Sequence, residues 1–349
     1  MFARRENPQT MNDREEEKDQ NEEKPKRSFI GKLLKVVLPL ALGIAIIYYL
    51  LSEVPLDEVW AIIKDANWGI LAFSLLFGLL GNTIRGYRWQ LLINPLGYYP
   101  KVRNLNFAIY GGYAINFALP RAGEVWRCGI IAKEEKIPFT KLFGTVIMDR
   151  LMDTTMVLGI NLFAFLFNMR FFIEQFKQNE ATLDSAMKYV QSPLLYVAAF
   201  VCIVAIFIVF KYFKHVKLVR KIIDIVKGMW EDMKAIWRMK QKIRLIFYSF
   251  GIWGSYFLYF YITFFAFGFT ENLGVTAGLI AFALSSLSMG IPTNGGLGPW
   301  QVAVIAALSL YQVDQVSAVA FATGVFFLQS FWVIICGLFG IGALALKKK

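Results

Sequence analysis

The chain has 349 residues, of which 57% are apolar and 18% are charged, against about 45–50% and 25% in ordinary globular domains. Its mean hydropathy is +0.49, and several apolar runs approach the ~20 residues that cross a bilayer. The composition therefore predicts an all-α polytopic membrane protein and excludes a soluble enzyme and a secreted disulfide scaffold. The net charge of +12 is typical of cytoplasmic loops that face anionic lipid, so we expect no nucleic-acid partner.

The chain opens with a polar segment of mixed charge, residues 1–28. We expect a disordered cytoplasmic tail there, because the segment can bury little apolar surface. The first apolar segment, about 31–52, starts too far from the N-terminus for a signal peptide and has no small-residue cleavage site. It is therefore expected to remain as a membrane span whose basic start lies in the cytoplasm.

Charge in the connecting segments predicts six spans with both termini in the cytoplasm. An acidic loop, 53–67, is expected outside, and the strongly basic stretch 211–244 is expected inside. We place the six spans at about 31–52, 68–93, 141–168, 194–211, 245–268 and 317–343.

Two further apolar segments, Leu105–Pro120 and Val275–Ile291, are too short to cross. Their 16 and 17 residues reach only about 24–26 Å at ~1.5 Å per residue, against a hydrocarbon core of ~30 Å. Charged flanks place both ends of the first segment inside, and the later spans require both ends of the second outside. Because a Pro/Gly break follows each, we predict two re-entrant helical hairpins that enter from opposite faces.

The two breaks also resemble each other, since 118–126 aligns on 290–300 with a two-residue insertion and shares Pro, Gly and Trp. The hairpins lie between spans of opposite direction, so a membrane domain over 29–349 is predicted to be an inverted repeat. Its first half is 29–211 and its second half is 244–349. Broken segments at corresponding positions of two halves indicate the midplane site of a transporter.

The two halves are joined by residues 212–243, in which apolar residues recur at helical spacing between lysines and arginines. One interpretation is an amphipathic linker helix that lies on the inner leaflet and binds anionic lipids. The other is a cytoplasmic helix that packs on its own bundle.

Cysteine and histidine are too few for several common kinds of site. Cys128, Cys202 and Cys336 are an odd number without C-x-x-C spacing, and His215 is the single histidine of the sequence. We therefore expect no disulfide framework, no metal site, no Ser–His–Asp triad and no cofactor.

Three charged residues, Asp149, Arg150 and Asp153, must lie inside the span near 141–168. The uncharged remainder of that span, Thr154–Phe167, has 14 residues and is too short to cross alone. Helical spacing places Asp149 and Asp153 on one face and brings Arg150 near Asp153. One cation and two acids leave a negative charge, so we expect a further cation from among Arg85, Arg88, Arg121 and Arg127. The set is either a polar site for function or an ion-pair staple between helices.

The arginines themselves have two interpretations. Arg85 and Arg88 share a helix face near the expected inner headgroup level, where they either snorkel as anchors or hold a lipid phosphate. Arg121, Glu124 and Arg127 follow Pro120 at the first hairpin tip, where they form either a gate or an ordinary capped first turn.

The second break is rich in glycine but is not a nucleotide site. It lacks the Lys-Ser/Thr ending of a phosphate loop and follows no strand. We interpret it as an outer gate beside the N-terminus of a half-helix, or as a tight turn that lets two half-helices pack. The residues concerned are Pro292, Asn294, Gly295, Gly296 and Gly298.

Four motifs of the chain resemble, in order and spacing, the lysylphosphatidylglycerol synthase transmembrane-region family, a flippase-like domain. The resemblance covers about 33–345, and its most specific part is the Asn116–Arg127 block. The motifs are Arg85-x-x-Arg88-Trp89-x-x-Leu92, Asn116-x-x-Leu119-Pro120-Arg121-x-Gly123-Glu124-x-x-Arg127, Asp149-Arg150-x-x-Asp153 and Pro292-x-x-Gly295-Gly296-x-Gly298.

This resemblance implies a multi-pass protein of the bacterial cytoplasmic (inner) membrane that moves a phospholipid, or an aminoacylated or glycosylated lipid, between leaflets. The aminoacyltransferase domain of two-part family members is not expected here. The intramembrane charge network is Asp149, Arg150 and Asp153, and the expected headgroup-binding residues are Arg85, Arg88, Asn116, Arg121, Glu124 and Arg127.

Two other functions stay open. One is a membrane-embedded transferase that uses Glu124, Asp149 or Asp153 as a base or metal ligand on a lipid-linked substrate. The other is a scaffold that recruits a separate lipid-modifying enzyme through 212–243. Because the sequence contains no ATP-binding motif, lipid movement would be passive or driven by an ion gradient.

Overall fold

The computed structural model describes residues 29–169 and 241–346, with side chains from residue 37 onward. Within these ranges the chain forms ten α-helices and no strand, which confirms the predicted all-α class. The helices are α1 Phe29–Ser52, α2 Leu56–Asp65, α3 Trp68–Ile93, α4 Val102–Ala118, α5 Ala122–Glu135, α6 Phe139–Phe167, α7 Lys242–Tyr261, α8 Gly274–Ser288, α9 Pro299–Ser309 and α10 Gln315–Leu346.

Long apolar helices stand where the sequence predicted spans. Four described stretches are long and apolar enough to cross a membrane, namely Trp68–Leu96, Phe139–Phe167, Lys242–Ala266 and Gln315–Leu346. The number of candidate spans rises to five if the bent helix pair Val37–Ser52 and Leu56–Asp65 is counted as one span. The sixth predicted span, 194–211, lies outside the described residues, as do the predicted tail 1–28 and nearly all of the linker 212–243.

The acidic segment 53–67 is not a plain loop, and our prediction was wrong in that respect. It contains α2, which lies at 95° to α1 and packs on α10. Val59 of α2 is buried while the neighbouring Asp57 and Glu58 are exposed. Such a helix is amphipathic, and the loop prediction failed because charge alone was read from this segment.

Both predicted hairpins consist of two helices joined at a break and packed on each other. In the first, α4 ends at Ala118 and α5 begins at Ala122, and the chain reverses at Arg121, whose φ of 61° is left-handed. In the second, α8 and α9 flank a short 3₁₀ turn. Pro299 opens α9, where its missing N–H costs nothing.

The hairpins pack reciprocally on the two halves. The first hairpin packs through α4 on α10, the span that follows the second hairpin, and the second packs through α8 on α6, the span that follows the first. The preceding spans, α3 and α7, pack on each other. Each hairpin thus contacts the span that follows the other hairpin, and the inverted repeat remains a prediction.

Small residues allow the helices around the first hairpin to approach closely. A Cβ atom at Gly123 of α5 would lie 1.9 Å from the carbonyl oxygen of Gly112 in α4. A Cβ atom at Gly337 of α10 would lie 2.3 Å from the Cβ of Ala114. Interfaces of small residues are a common way for helices to pack in membranes.

The last helix begins with a side-chain cap outside the membrane-spanning segments. Asp314 accepts a hydrogen bond from the backbone N–H of Ser317 at 2.9 Å. Hydrogen bonding from this backbone N–H lowers the pKa of Asp314 below its ordinary value. The cap therefore favours the ionised carboxylate at the N-terminus of α10.

Candidate functional site

Seven charged side chains from three neighbouring helices meet beside the first hairpin, and we refer to them as the charge cluster. Helix α3 supplies two arginines, α5 supplies a glutamate and an arginine, and α6 supplies two aspartates and an arginine. The members are Arg85, Arg88, Glu124, Arg127, Asp149, Arg150 and Asp153.

The centre of the cluster is the pair Arg88 and Asp149, both 0% exposed. Arg88 donates from Nε and NH2 to Oδ1 of Asp149, at 3.0 Å and 2.7 Å. Its NH2 also donates to Asp153 at 2.6 Å, and its NH1 donates to the hydroxyl of Ser249 at 3.0 Å. Every terminal nitrogen of Arg88 is thus bonded inside the protein.

Arg85 completes this centre. Its NH1 donates to Asp153 at 2.6 Å and to Asp149 at 3.2 Å. The guanidinium also lies about 6 Å from the ring centres of Tyr113 and Tyr256. Arg85 is 2% exposed, so the alternative in which Arg85 and Arg88 snorkel to the membrane surface is wrong. Two carboxylates within reach hold both arginines inside.

Arg127 attaches to the edge of the centre. Its NH2 donates to Asp149 at 3.2 Å, and its guanidinium lies 4.8 Å from the ring centre of Trp89. The buried Nε of Arg127 has no hydrogen-bond partner within residues 37–169 and 241–346. Trp89 is itself fixed by a hydrogen bond from its ring N–H to Thr145.

Arg150 lies near Asp153, as the helical spacing predicted, but its shorter ion pair is with Glu124 of α5. It forms a 2.8 Å ion pair with Glu124, whereas Asp153 lies 3.9 Å away. Asp153 turns toward the arginines of α3, which approach it to 2.6 Å. This outer pair is the less buried part of the cluster, since the Arg150 side chain is 42% exposed.

Among the residues that the structure describes, the charges of the cluster do not cancel. Four arginines and three carboxylates leave 4 − 3 = 1 positive charge. The sequence had predicted a negative surplus in need of one cation, and the structure brings three arginines to the α6 triplet. The remaining candidate, Arg121, is exposed and donates to the carbonyl of Gly290 at 3.2 Å.

A small pocket opens beside the outer pair, with about 10 Å³ of room, enough for about one water molecule. Glu124, Arg127 and Arg150 line it on the charged side, and Tyr113 and Asn116 line it on the hairpin side. Oε2 of Glu124 and Nε of Arg150 are buried and form no hydrogen bond with any part of the chain that the structure describes. The pocket thus joins the charge cluster to the inside of the first hairpin.

Asn116 has a structural role that we did not predict when we interpreted it as a headgroup ligand. Its side-chain oxygen accepts a hydrogen bond from the backbone N–H of Gly123 at 2.8 Å. This bond satisfies one of the free donors at the N-terminus of α5. Asn116 therefore fixes the hairpin while its side chain also borders the pocket.

The tips of the two hairpins are in contact. The side-chain amide of Asn294 donates to the carbonyl oxygens of Phe117 and Ala118, at 2.9 Å and 3.3 Å. Gly295 has a left-handed φ of 63°, and a Cβ atom there would lie 2.3 Å from the Phe117 ring. The predicted turn residues Gly296 and Gly298 also have positive φ, whereas Pro292 lies exposed after the end of α8.

Several polar residues around the cluster were missed by the sequence analysis. Ser249 and Tyr256 of α7 face the cluster, and the hydroxyl of Tyr256 donates to Asn82 of α3 at 2.6 Å. Their spacing of seven residues within an apolar helix places them on one face, and this was the signal available in the sequence. Within the described residues, no group of three His, Cys, Asp or Glu side chains is arranged to hold a metal ion.

The helices and the buried ion pairs define the class of the molecule, an integral multi-pass membrane protein with ionisable residues inside its spanning helices. The chain belongs to the family described as the lysylphosphatidylglycerol synthase TM region, whose family model matches residues 36–337. No solved structure matches the chain.

Two curated relatives match over 135 residues each, which is 38% of this chain. One is a UPF0104 membrane protein of Methanocaldococcus jannaschii, 27% identical, and the match covers 40% of its length. The other is glycosyltransferase AglD of Haloferax volcanii, 24% identical, and the match covers 22% of its length. The chain thus matches less than half of either relative.

Proposed function

We propose that this protein is a lipid translocase that moves a phospholipid, or an aminoacylated or glycosylated lipid, between the leaflets of the bacterial cytoplasmic membrane. The observation that carries the proposal is the buried charge cluster next to the point where two broken helical segments meet. Membership of the family supports a lipid-associated role. We also propose that both termini lie in the cytoplasm, on the charge pattern described above.

The energetics favour a functional reason for the cluster. A charge at the centre of a bilayer costs about 2.5–3.5 kcal/mol on insertion scales, and burying an ion pair is often no more stabilising than apolar packing. A simple staple between helices needs one pair, whereas this cluster contains seven charged groups. Ionisable residues retained at this cost within spanning helices commonly mark a substrate pathway.

The geometry divides the cluster into two parts with different tasks. Arg85, Arg88, Asp149 and Asp153 form four ion pairs with each other, so they are proposed to hold α3 and α6 together beside α7. Arg127, Arg150 and Glu124 border the pocket and are proposed to meet the polar headgroup. The headgroup would then pass the hairpin tips, where Asn294 contacts the first hairpin.

The alternative function is a membrane-embedded transferase that acts on a lipid-linked substrate. The name of the relative, glycosyltransferase AglD, is consistent with this alternative. A base must have a free carboxylate oxygen near the substrate. Asp149 and Asp153 each bind at least two arginines, which leaves Glu124 as the carboxylate of the cluster with an unbonded oxygen. A scaffold for a separate lipid-modifying enzyme is the third possibility.

One reconstitution distinguishes these functions. The purified chain is placed in liposomes that carry a fluorescent phospholipid in both leaflets, and an impermeant reductant quenches the outer leaflet. We expect quenching beyond the outer-leaflet fraction, because inner lipid reaches the outside through the protein. Quenching that stops at the outer leaflet, as in protein-free liposomes, would contradict the proposal.

The same liposomes are extracted and their lipids analysed by mass spectrometry after incubation with candidate donor substrates. A lipid of altered mass would support the transferase. Co-purification of one enzyme, without lipid movement or altered product, would support the scaffold. A matched pair of variants, Glu124→Gln in the cluster and Glu58→Gln on the exposed face of α2, separates the site from general effects of charge.

A further inference from the structure

A second pocket lies apart from the charge cluster, where the helices α3, α4 and α10 meet. It has about 10 Å³ of room, which is enough for about one water molecule. Its polar lining residues are Asn82 of α3, Tyr110 of α4, and Trp332 and Cys336 of α10. Cavities that stay dry in proteins are lined by apolar groups, so this lining indicates a polar occupant.

The indole of Trp332 brings a hydrogen-bond donor to the second pocket. Its Nε1 is buried, and no group in the described helices accepts a hydrogen bond from it. The hydrocarbon of a bilayer supplies no acceptor, so an unpartnered N–H is costly in a spanning helix. We therefore expect an acceptor for Nε1 inside the protein, and the space that Trp332 lines is the second pocket.

Asn82 supplies a second donor. It is 7% exposed, and its side-chain oxygen accepts a 2.6 Å hydrogen bond from the hydroxyl of Tyr256. Because this bond turns the oxygen toward Tyr256, the NH2 group of the amide is left for the pocket that Asn82 lines. Two donors, one from each of two helices, thus border a space of one water molecule.

Tyr110 supplies an acceptor from the first hairpin. Its hydroxyl donates to the backbone carbonyl of Leu79 at 3.0 Å and lies 3.1 Å from the hydroxyl of Thr83. These bonds fix the position of the phenol beside the second pocket. A phenol oxygen that donates its own proton can still accept a hydrogen bond.

We propose that the second pocket binds one water molecule, which accepts hydrogen bonds from Nε1 of Trp332 and the amide of Asn82 and donates to the hydroxyl of Tyr110. Three polar partners are typical of a buried water, and these three come from three different helices. The site lies outside the charge cluster and does not depend on the proposed movement of lipid.

The bound water joins the two predicted halves of the chain. Asn82 and Tyr110 belong to the first half, and Trp332 belongs to the second. Asn82 also accepts directly from Tyr256 of the second half, whose ring centre lies 5.9 Å from the guanidinium of Arg85. Polar contacts therefore continue from the charge cluster through Tyr256 and Asn82 to the water, and from there to α4 and α10.

The test is X-ray hydroxyl-radical footprinting of the full chain in lipid nanodiscs, with oxidised side chains identified by mass spectrometry. Radiation makes the radicals from water, so a buried side chain that touches a bound water is oxidised and a dry one is spared. The matched residue is Trp253, which is half-buried like Trp332 and also has a buried Nε1 without an acceptor among the described residues. Its ring packs against those of Tyr256 and Phe282.

We expect Trp332 to be oxidised about tenfold faster than Trp253, because a bound water lies against Trp332 and only ring and apolar groups lie against Trp253. Cys336, which lines the same pocket, is expected to be oxidised as well. Equal rates for the two tryptophans would overturn the water site.

The variant Asn82→Leu removes one donor and places an apolar side chain of similar size at the second pocket. We expect the oxidation of Trp332 to fall to the rate of Trp253. The matched control is Asn161→Leu in α6, where the asparagine donates within its own helix to Val157 at 2.9 Å, and it is expected to leave the oxidation of Trp332 unchanged. Oxidation of Trp332 that persists in Asn82→Leu would overturn the proposal.

A pair of tryptophan variants decides the question if Asn82→Leu does not fold. Trp332→Phe breaks a hydrogen bond to the water, whereas Trp253→Phe removes a donor that has no partner in the described residues. Both variants lose the same ring area, so we expect the lower thermal unfolding midpoint for Trp332→Phe. An equal or higher midpoint for Trp332→Phe would contradict the site. Neither measurement involves lipid movement, so the site and the proposed function can fail separately.

Discussion

Asn294 donates a hydrogen bond from its side-chain amide to the backbone carbonyl of Phe117 at 2.9 Å, across a sequence separation of 177 residues. The bond joins the breaks of the two hairpins. The carbonyls near a helix C-terminus lack partners within their own helix, and Asn294 supplies one from the opposite half of the chain. Contact between the halves is thus made where regular backbone hydrogen bonding is interrupted.

The variant Asn294→Ala tests this contact. It removes the donor to the carbonyls of Phe117 and Ala118, and we expect a loss of about 1 kcal/mol in unfolding free energy, the usual net value of one hydrogen bond. Thermal unfolding in detergent measures the loss as a lower transition midpoint. Asn272→Ala, at an exposed position before α8, is the control, and equal midpoints for the two variants would show that the tip contact contributes nothing.

The variant Asp153→Asn tests the centre of the cluster. It removes the carboxylate that receives hydrogen bonds from Arg85 and Arg88, so two buried arginines keep one acid. We expect the unfolding free energy to fall by about 3–5 kcal/mol, as when one partner of a buried ion pair is removed. Chemical unfolding monitored by tryptophan fluorescence measures this change in unfolding free energy.

The matched control for Asp153→Asn is Asp57→Asn, on the exposed face of α2, with an expected change within about 0.5 kcal/mol. The Arg150–Glu124 pair should survive in Asp153→Asn, since Arg150 approaches Glu124 to 2.8 Å and Asp153 only to 3.9 Å. If Asp153→Asn had the same unfolding free energy as Asp57→Asn, the buried ion pairs at the centre of the cluster would contribute nothing to stability.

Two glycines of α5 offer a paired test of the first hairpin. A Cβ atom at Gly123 would lie 1.9 Å from a backbone oxygen of Gly112, whereas one at Gly129 meets no atom within 4 Å. We expect Gly123→Ala to lower the unfolding free energy by about 3 kcal/mol or more, because the added methyl group forces α4 and α5 apart. Gly129→Ala should be neutral or stabilise the helix by up to about 1 kcal/mol. Comparable stability of the two variants would contradict the packing of the hairpin.

Asp314 gives the stability a defined pH dependence. Because its pKa is lowered in the folded protein, its contribution is present above its ordinary value of 3.8 and is lost as pH falls through the folded pKa. We expect the difference in unfolding free energy between the wild type and Asp314→Asn to decline as the pH is lowered from about 5 to about 2.

The asparagine variant is chosen because its side-chain oxygen can still accept from Ser317, while it no longer titrates. Other titrating groups cancel in the difference between the two proteins. A difference that stays constant over the same range would show that Asp314 is not ionised at the cap.

The sequence predicted the helical framework because its signals are strong in a membrane protein. Apolar length located α3, α6, α7 and α10 closely, and the Pro/Gly breaks located both hairpins. The helix α2 was missed because its ten residues are too short and too charged for a hydropathy pattern. Its amphipathic spacing would have shown it.

The sequence analysis also identified the members of the charge cluster, but it did not predict all of their ion pairs. Spacing along α6 predicted a pair of Arg150 and Asp153, whereas α5 brings Glu124 closer to Arg150. Spacing along a helix reports neighbours on that helix only, and the partners here come from α3, α5 and α7. The division between the arginines of the centre and those at the pocket is therefore a property of the packing.

The proposed lipid path depends on our prediction that the two hairpins enter from opposite faces and meet within the membrane. Single cysteines at Lys133→Cys, near the end of the first hairpin, and Glu271→Cys, before the second, both at exposed positions, are introduced after replacement of the three native cysteines. An impermeant maleimide is then applied to intact cells and to inverted membranes. We predict labelling of Glu271→Cys only from outside and of Lys133→Cys only from the cytoplasmic side; labelling of both from one and the same side would contradict the account.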